Sequence, residues 1–178
     1  MSYSRWATDD WRIEVMTIED LNGMDLPAFV ESIGWVFEHS PWVAARAWER
    51  RPFKTREALY DAMVAEVASG DPEEQLDLLR AHPDLGARAE MSPASANEQA
   101  GAGFGELPRA EVERLQRLNV AYREKNGFPF LYAVKGSTSR SILNALESRL
   151  ASTREAERAE ALRQACRIAR FRLEDVIS

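Results

Sequence analysis

Residues 71–86 read DPEEQLDLLRAHPDLG, and the punctuation of this stretch decides the fold class. Asp71 stands before Pro72, which suits a first helical position because its missing N–H would have had no intrahelical partner there. Glu74, three residues after the cap, supplies a variant of the capping box. At the other end, Pro83 drives its predecessor out of the α region into an extended conformation. The spacing therefore predicts a helix over about 72–81, with His82 leaving it at a fixed angle.

The same grammar recurs along the chain. Ser40–Pro41 and Ser92–Pro93 repeat the pairing of a capping side chain with proline, and Gly70 and Gly127 follow the ends of two periodic runs, where a left-handed residue commonly terminates a helix. Helices are predicted at about 26–38, 41–50, 56–69, 72–81, 94–103, 108–125, 138–150 and 154–176. One stretch departs from this pattern. GFPFLYAVKG, residues 127–136, places aromatic and β-branched residues around a proline. It reads as extended, and a single extended segment cannot build a sheet. The expectation is an all-α fold: one domain of about eight helices with one extended segment packed into the core.

Composition bounds the function. The 178 residues suffice for one domain with its own core, and 45% hydrophobic and 29% charged residues mark a globular chain. A net charge of -6 argues against nucleic acid, whose phosphates are held by lysine and arginine. The single cysteine, Cys166, excludes an internal disulfide, and with only two histidines besides a zinc site is not expected. Cys166 itself, near the apolar stripe of the last helix, reads as a small core residue. No apolar run approaches the roughly 20 residues that span a bilayer. The start, MSYSRWATDDWRIEV, lacks a basic region followed by an apolar one, and EDVIS is not the peroxisomal tripeptide. These features imply an intracellular, cytoplasmic protein without a membrane partner.

Three places carry candidate chemistry. His82 sits where helix C-terminal carbonyls, and Asp84 if near, favour a cationic imidazole charged near neutral pH; it also reads as a plain polar helix terminator. In SPASANEQAGAGF, residues 92–104, Ser95, Glu98 and Gln99 fall at i, i+3 and i+4 and share one helical face. The small residues Ala100 to Gly103 would admit a close neighbour, and the competing reading makes Ser95 and Glu98 a capping box. In the last helix, Leu162, Ala165, Ala169, Leu173 and Val176 form an apolar stripe that contains Arg172, whereas Arg163, Arg167 and Arg170 fall opposite. An arginine facing a core needs an anionic partner, either a protein carboxylate or one on a substrate, unless it snorkels to the edge. His39 and the aromatics Trp35, Trp42, Trp48, Phe53, Phe128 and Phe130 read as structural.

Taken in order, the stretches FEHSPWVA, RPF, RAHPDLG, SANEQAGAGF, LNVAYREKNGFPFLYAVKG and ARFRLEDV resemble those of one family. These are the decarboxylases of 2-oxo-4-hydroxy-4-carboxy-5-ureidoimidazoline (OHCU), which complete the conversion of urate to allantoin. The resemblance runs from about Thr17 to Val176 and divides the chain into an extension at 1–16 and a domain at 17–178. Two departures stand out: a short stretch between HPDLG and SANEQ, and Asn126 where phenylalanine is common.

The resemblance implies a cofactor-free and metal-free helical carboxy-lyase, usually a homodimer, acting on the small molecule OHCU. It implies catalytic roles for His82 and Glu98, and substrate binding by Pro83, Ser95, Gln99 and Arg172. The backbone of Phe130, Leu131, Tyr132, Ala133 and Val134 would meet the ureido and ring amide groups. OHCU carries its own electron sink, since the ring C=N beside the carboxylated carbon can accept the pair released from the C–C bond. Two rival readings remain: a helical binding module without catalysis, and a decarboxylase or lyase for a related ureido compound.

Overall fold

The computed structural model describes residues 15–87 and 91–178. Among these, nine α-helices run in the order α1 (Ile18–Gly23), α2 (Leu26–Ile33), α3 (Trp42–Trp48), α4 (Arg56–Ser69), α5 (Pro72–Arg80), α6 (Pro93–Gly101), α7 (Arg109–Asn126), α8 (Ser139–Arg149) and α9 (Arg154–Val176). No strand forms among the described residues, and the class is all-α. An isolated bridge joins Met16 to Ile177 in parallel. Among the described residues no helix is long and apolar enough to cross a membrane.

Local chemistry explains most of the boundaries. Asp71 accepts from the N–H groups of Glu73 and Glu74 while Glu74 returns a bond to the Asp71 N–H, and Ser92 accepts from Ser95 N–H. Each bond satisfies an orphan donor at a helix start and contributes about 1 kcal/mol. Gly127 ends α7 at φ 82°, the left-handed conformation that glycine adopts without penalty.

Four expectations need correction. The predicted helix over 26–38 stops at Ile33 and continues as a single 3-10 turn, Gly34–Val36. Ser40 caps nothing: its hydroxyl donates to the Glu38 carbonyl at 3.0 Å, and α3 begins behind Pro41 with no side-chain cap. Gly70 ends α4 at φ -59°, so handedness is not its reason; a Cβ there would stand 3.2 Å from the Trp42 ring. Helix α1 adds to the predicted set: its six residues are too few to show a periodicity, although Thr17 and Asp20 make a complete capping box.

The core is continuous. Helices α2, α3 and α4 pack in succession, and α9 lies against α4, α5 and α7. Phe29, Phe37, Tyr122 and Phe130 are among its largest fully buried side chains. The expected extended segment is present as a buried, non-helical run between α7 and α8, with the Phe130 and Tyr132 rings stacked at 6.1 Å. Of the extension expected at 1–16, residues 1–14 lie outside the described residues. Met16 is tied to the C-terminus, its N–H donating to the Val176 carbonyl at 2.8 Å and its carbonyl accepting from Ser178 N–H at 3.0 Å.

Candidate active site

Arg172 is the side chain around which the site is organised. It is 3% exposed, in the apolar stripe where the sequence places it. Its partners are protein carboxylates. Nε donates to Glu98 Oε1 at 2.8 Å and Nη2 to Glu98 Oε2 at 3.1 Å, a bidentate pair. Nη1 donates to Glu38 Oε2 at 2.9 Å, and Nη2 also reaches Ser95 Oγ at 3.0 Å. The Ser95 hydroxyl in turn donates to Glu38 Oε2 at 2.9 Å. The capping-box reading of Ser95 and Glu98 therefore fails, since Ser92 caps α6 and both side chains turn inward to Arg172.

Glu38 is the residue that sequence reasoning missed. Its side chain is 2% exposed. Burial pushes its carboxyl upward, but the Arg172 guanidinium, with help from Ser92, His82 and Ser95, outweighs this and holds it below the ordinary carboxylate range. A signal existed, because one acid directly follows the apolar run GWVF, residues 34–37. An isolated carboxylate there has to be paired.

His82 is placed by the end of α5. Its Nδ1 lies 2.9 Å from the Leu78 carbonyl. A carbonyl can only accept, so Nδ1 carries the proton and Nε2 keeps its lone pair in the neutral ring. The expected cationic histidine is not what the structure forms. Burial lowers the pKa from 6.5 to about 4, against opposing contributions from the Leu78 carbonyl and Glu38 and with Arg172 adding to the fall. Asp84 gives no help, since it pairs with Arg123 at 2.9 Å.

The loop after His82 is held from three sides. Gly86 N–H donates to Gln99 Oε1 at 2.7 Å, the Leu85 carbonyl accepts from Asn119 Nδ2 at 2.8 Å, and Arg123 holds Asp84. Gly86 sits at φ 72°, where a Cβ would come within 2.6 Å of Leu115 Cδ2, so both conformation and space require glycine. The small run after Gln99 has a different use from the close approach expected: no atom lies within 4 Å of a Cβ built on Gly101, and Gly103 supplies a left-handed turn at φ 81°.

These elements enclose one cavity of about 340 Å³, part of it open to solvent. His82 and Pro83 enter from the end of α5, Ser95, Glu98 and Gln99 from α6, and Arg172 from α9. Phe130, Leu131, Tyr132 and Val134 form the opposite wall. Leu85 and Ile168, not singled out in the sequence, complete the lining. Ala133 is the exception among the expected residues, bordering a smaller adjoining cavity beside Glu98 and Val134. Cys166 takes no part: it packs against the core, and burial raises its thiol pKa to about 11.

Such a site can accept a proton at a fixed, buried imidazole nitrogen in the same cavity as an oriented carboxylate. Two consequences are measurable. A histidine held neutral by burial binds fewer protons folded than unfolded between pH 6.5 and about 4, so its contribution to stability falls as pH drops through that window. Relative to His82→Asn, the wild type should lose about 2 kcal/mol of unfolding free energy between pH 8 and pH 5. Parallel urea melts of the two proteins check it, and a pH-independent difference would contradict the buried neutral state. Separately, Glu38→Gln removes the negative charge that raises the His82 pKa. Turnover should fall about tenfold, with the acid limb of activity moving to lower pH; a pH–rate profile of the variant is the test.

A family model described as OHCU decarboxylase matches residues 22–174. A Halalkalicoccus jeotgali protein named 2-oxo-4-hydroxy-4-carboxy-5-ureidoimidazoline decarboxylase is 46% identical over 90% of this chain and 92% of its own. One of the same name from Haloferax volcanii is 44% identical, over 92% and 97%. The fold is similar to a crystal structure of (S)-allantoin synthase, with a TM-score of 0.76 and 34% identity, spanning 91% of this chain and 54% of that longer one. It is also similar to an OHCU decarboxylase crystallised in the presence of (S)-allantoin, with a TM-score of 0.65 and 25% identity over 78% and 92%. The chain belongs to the OHCU decarboxylase family.

Proposed function

We propose that this protein decarboxylates OHCU to (S)-allantoin without a cofactor, using His82 as the acid/base and Glu98 as the oriented carboxylate beside it. The observation that carries the reading is the pinned imidazole: Nδ1 is committed to Leu78 in a ring that lines the same cavity as Glu98, Gln99 and Arg172. In the reaction the bond between C4 and its carboxylate breaks and CO2 leaves. The released pair forms a C4–C5 double bond, and the pair of the C5=N bond moves to nitrogen, which takes a proton. His82 Nε2 takes the C4 hydroxyl proton as the carbonyl forms, and a proton delivered to one face of C5 sets the chirality. A donor held in one direction makes one enantiomer, whereas bulk water makes both.

The other residues follow from their partners. Gln99 spends its Oε1 on Gly86, which leaves its amide donors for a substrate oxygen. The Arg172 fork is filled by Glu98, Glu38 and Ser95, so its role is to fix Glu98 and neutralise the buried acids, with its charge available to the substrate anion at longer range. Pro83 aims His82, Ser95 links Glu38 to Arg172, and the segment Phe130 to Val134 meets the ureido and ring amides. The setting we propose is a homodimer in the cytoplasm acting on this small molecule.

The test is circular dichroism of allantoin formed from freshly generated OHCU. Rapid growth of one enantiomer's signal is the expected result. Slow formation of optically inactive product, unchanged by folded protein, would instead favour a binding role or a related ureido substrate.

A further inference from the structure

The wall formed by residues 130–134 is fastened along one edge by side chains outside the cavity lining. Arg149 Nη1 donates to the Leu131 carbonyl at 3.0 Å, and Gln164 Oε1 accepts from Ala133 N–H at 2.8 Å. Both anchors are themselves held. Arg149 pairs with the buried Glu157 at 2.8 Å, whose carboxylate also accepts from the Tyr122 hydroxyl at 2.5 Å. Gln164 Nε2 donates to Glu160 Oε1 at 2.8 Å.

The two fastened groups belong to residues i and i+2. In extended backbone the N–H and C=O of one residue point to the same edge, and those of the next residue to the opposite edge. The stacked rings of Phe130 and Tyr132 show this period of two. With Leu131 and Ala133 turned toward α8 and α9, the N–H and C=O of Tyr132 are turned the other way. Tyr132 lines the main cavity together with Phe130, Leu131 and Val134, and Ala133 does not. Among the described residues neither backbone group of Tyr132 has a protein partner, which leaves an adjacent donor and acceptor on the edge away from Arg149 and Gln164.

We propose that Gln164 is a positioning residue that selects which peptide edge the cavity sees, and thereby sets recognition of the substrate's ureido or ring amide by the Tyr132 backbone. The proposal rests on the decarboxylase reading, which supplies a ligand with paired N–H and C=O groups. An amide presents one donor and one acceptor side by side, and so does the exposed edge of Tyr132; a segment turned by one residue would offer it Ala133 instead. Gln164 acts from two turns before Arg172 on α9, so one helix orders both walls of the cavity.

The experiment compares steady-state kinetics of wild type, Gln164→Leu and the swap Glu160→Gln/Gln164→Glu on freshly generated OHCU, with melting curves for each. Leucine leaves Ala133 N–H without its acceptor, whereas the swap keeps an acceptor for Ala133 and reverses the bond to residue 160. The expected result is a KM raised about tenfold or more in Gln164→Leu, with kcat within about threefold of wild type. The swap should return KM to within about threefold. An unchanged KM in the leucine variant overturns the proposal, as does a loss confined to kcat that tracks melting temperature. Should the leucine variant not fold, Gln164→Asn draws the acceptor back by one methylene, and an unchanged KM there overturns it equally. A wild type that leaves OHCU untouched sinks the decarboxylase reading and this inference with it. An active wild type with an indifferent Gln164 sinks the inference alone.

Discussion

His82→Asn should lower OHCU turnover by about a hundredfold or more while leaving the fold intact, because asparagine keeps a polar side chain but has no nitrogen that exchanges a proton near neutral pH. The size of the effect follows from the commitment of the ring. Nδ1 is held by Leu78, so only Nε2 can serve, and no other histidine lines the cavity. His39 is displaced from it, with its side chain 73% exposed and its backbone at φ 46°. In the wild type the neutral ring is the active base, so kcat/KM should hold as pH falls and decline only through about 4. A limb near 6.5 would mean that the imidazole is solvated in solution. Near-normal turnover by the asparagine variant would exclude His82 from the chemistry.

Arg172→Lys should reduce kcat/KM by more than tenfold and also destabilise the fold, a combination that a surface arginine would not show. Lysine offers three donors on a point charge, against a planar fork that meets Glu98 at two oxygens and Glu38 and Ser95 besides. Glu38 is left the more exposed to loss, since it is almost fully buried and the one other basic group within ion-pair distance among the described residues, His39 Nε2, stands 4.0 Å away against 2.9 Å for Arg172. Breaking one partner of a buried pair costs about 3–5 kcal/mol; the partial exposure of Glu98, 27%, puts the expectation at the lower end. Urea midpoints and kcat/KM measured together test this. Unchanged values of both would remove Arg172 from the site.

The two variants also separate two kinds of legibility. Arg172 was readable because an arginine in an apolar helical stripe is an anomaly that demands an anion, but both a substrate and a protein carboxylate satisfied that demand. Choosing between them needed Glu38, which lies 134 residues away in the chain. The tertiary fold brings the two together, and no local spacing relates them. For His82 the local argument was sound in its terms and wrong in its outcome. Helix-end carbonyls do favour an imidazolium, and Leu78 supplies one, but that interaction is outweighed by burial under helices whose positions the stretch 71–86 does not contain.

Proline, glycine and capping side chains act through the backbone of their own few residues, so the sequence by itself determined the helix order, the departure of His82 from α5 and the extended run after Gly127. The ordered motifs likewise determined the family. Only the tertiary structure decided the protonation state of His82, the filling of Arg172 by Glu38 and Glu98, and the edge of Tyr132 that faces the cavity. Desolvation, ion pairing and the capture of a peptide edge by Gln164 are properties of groups distant in the chain, and they exist only once α5, α6 and α9 have packed.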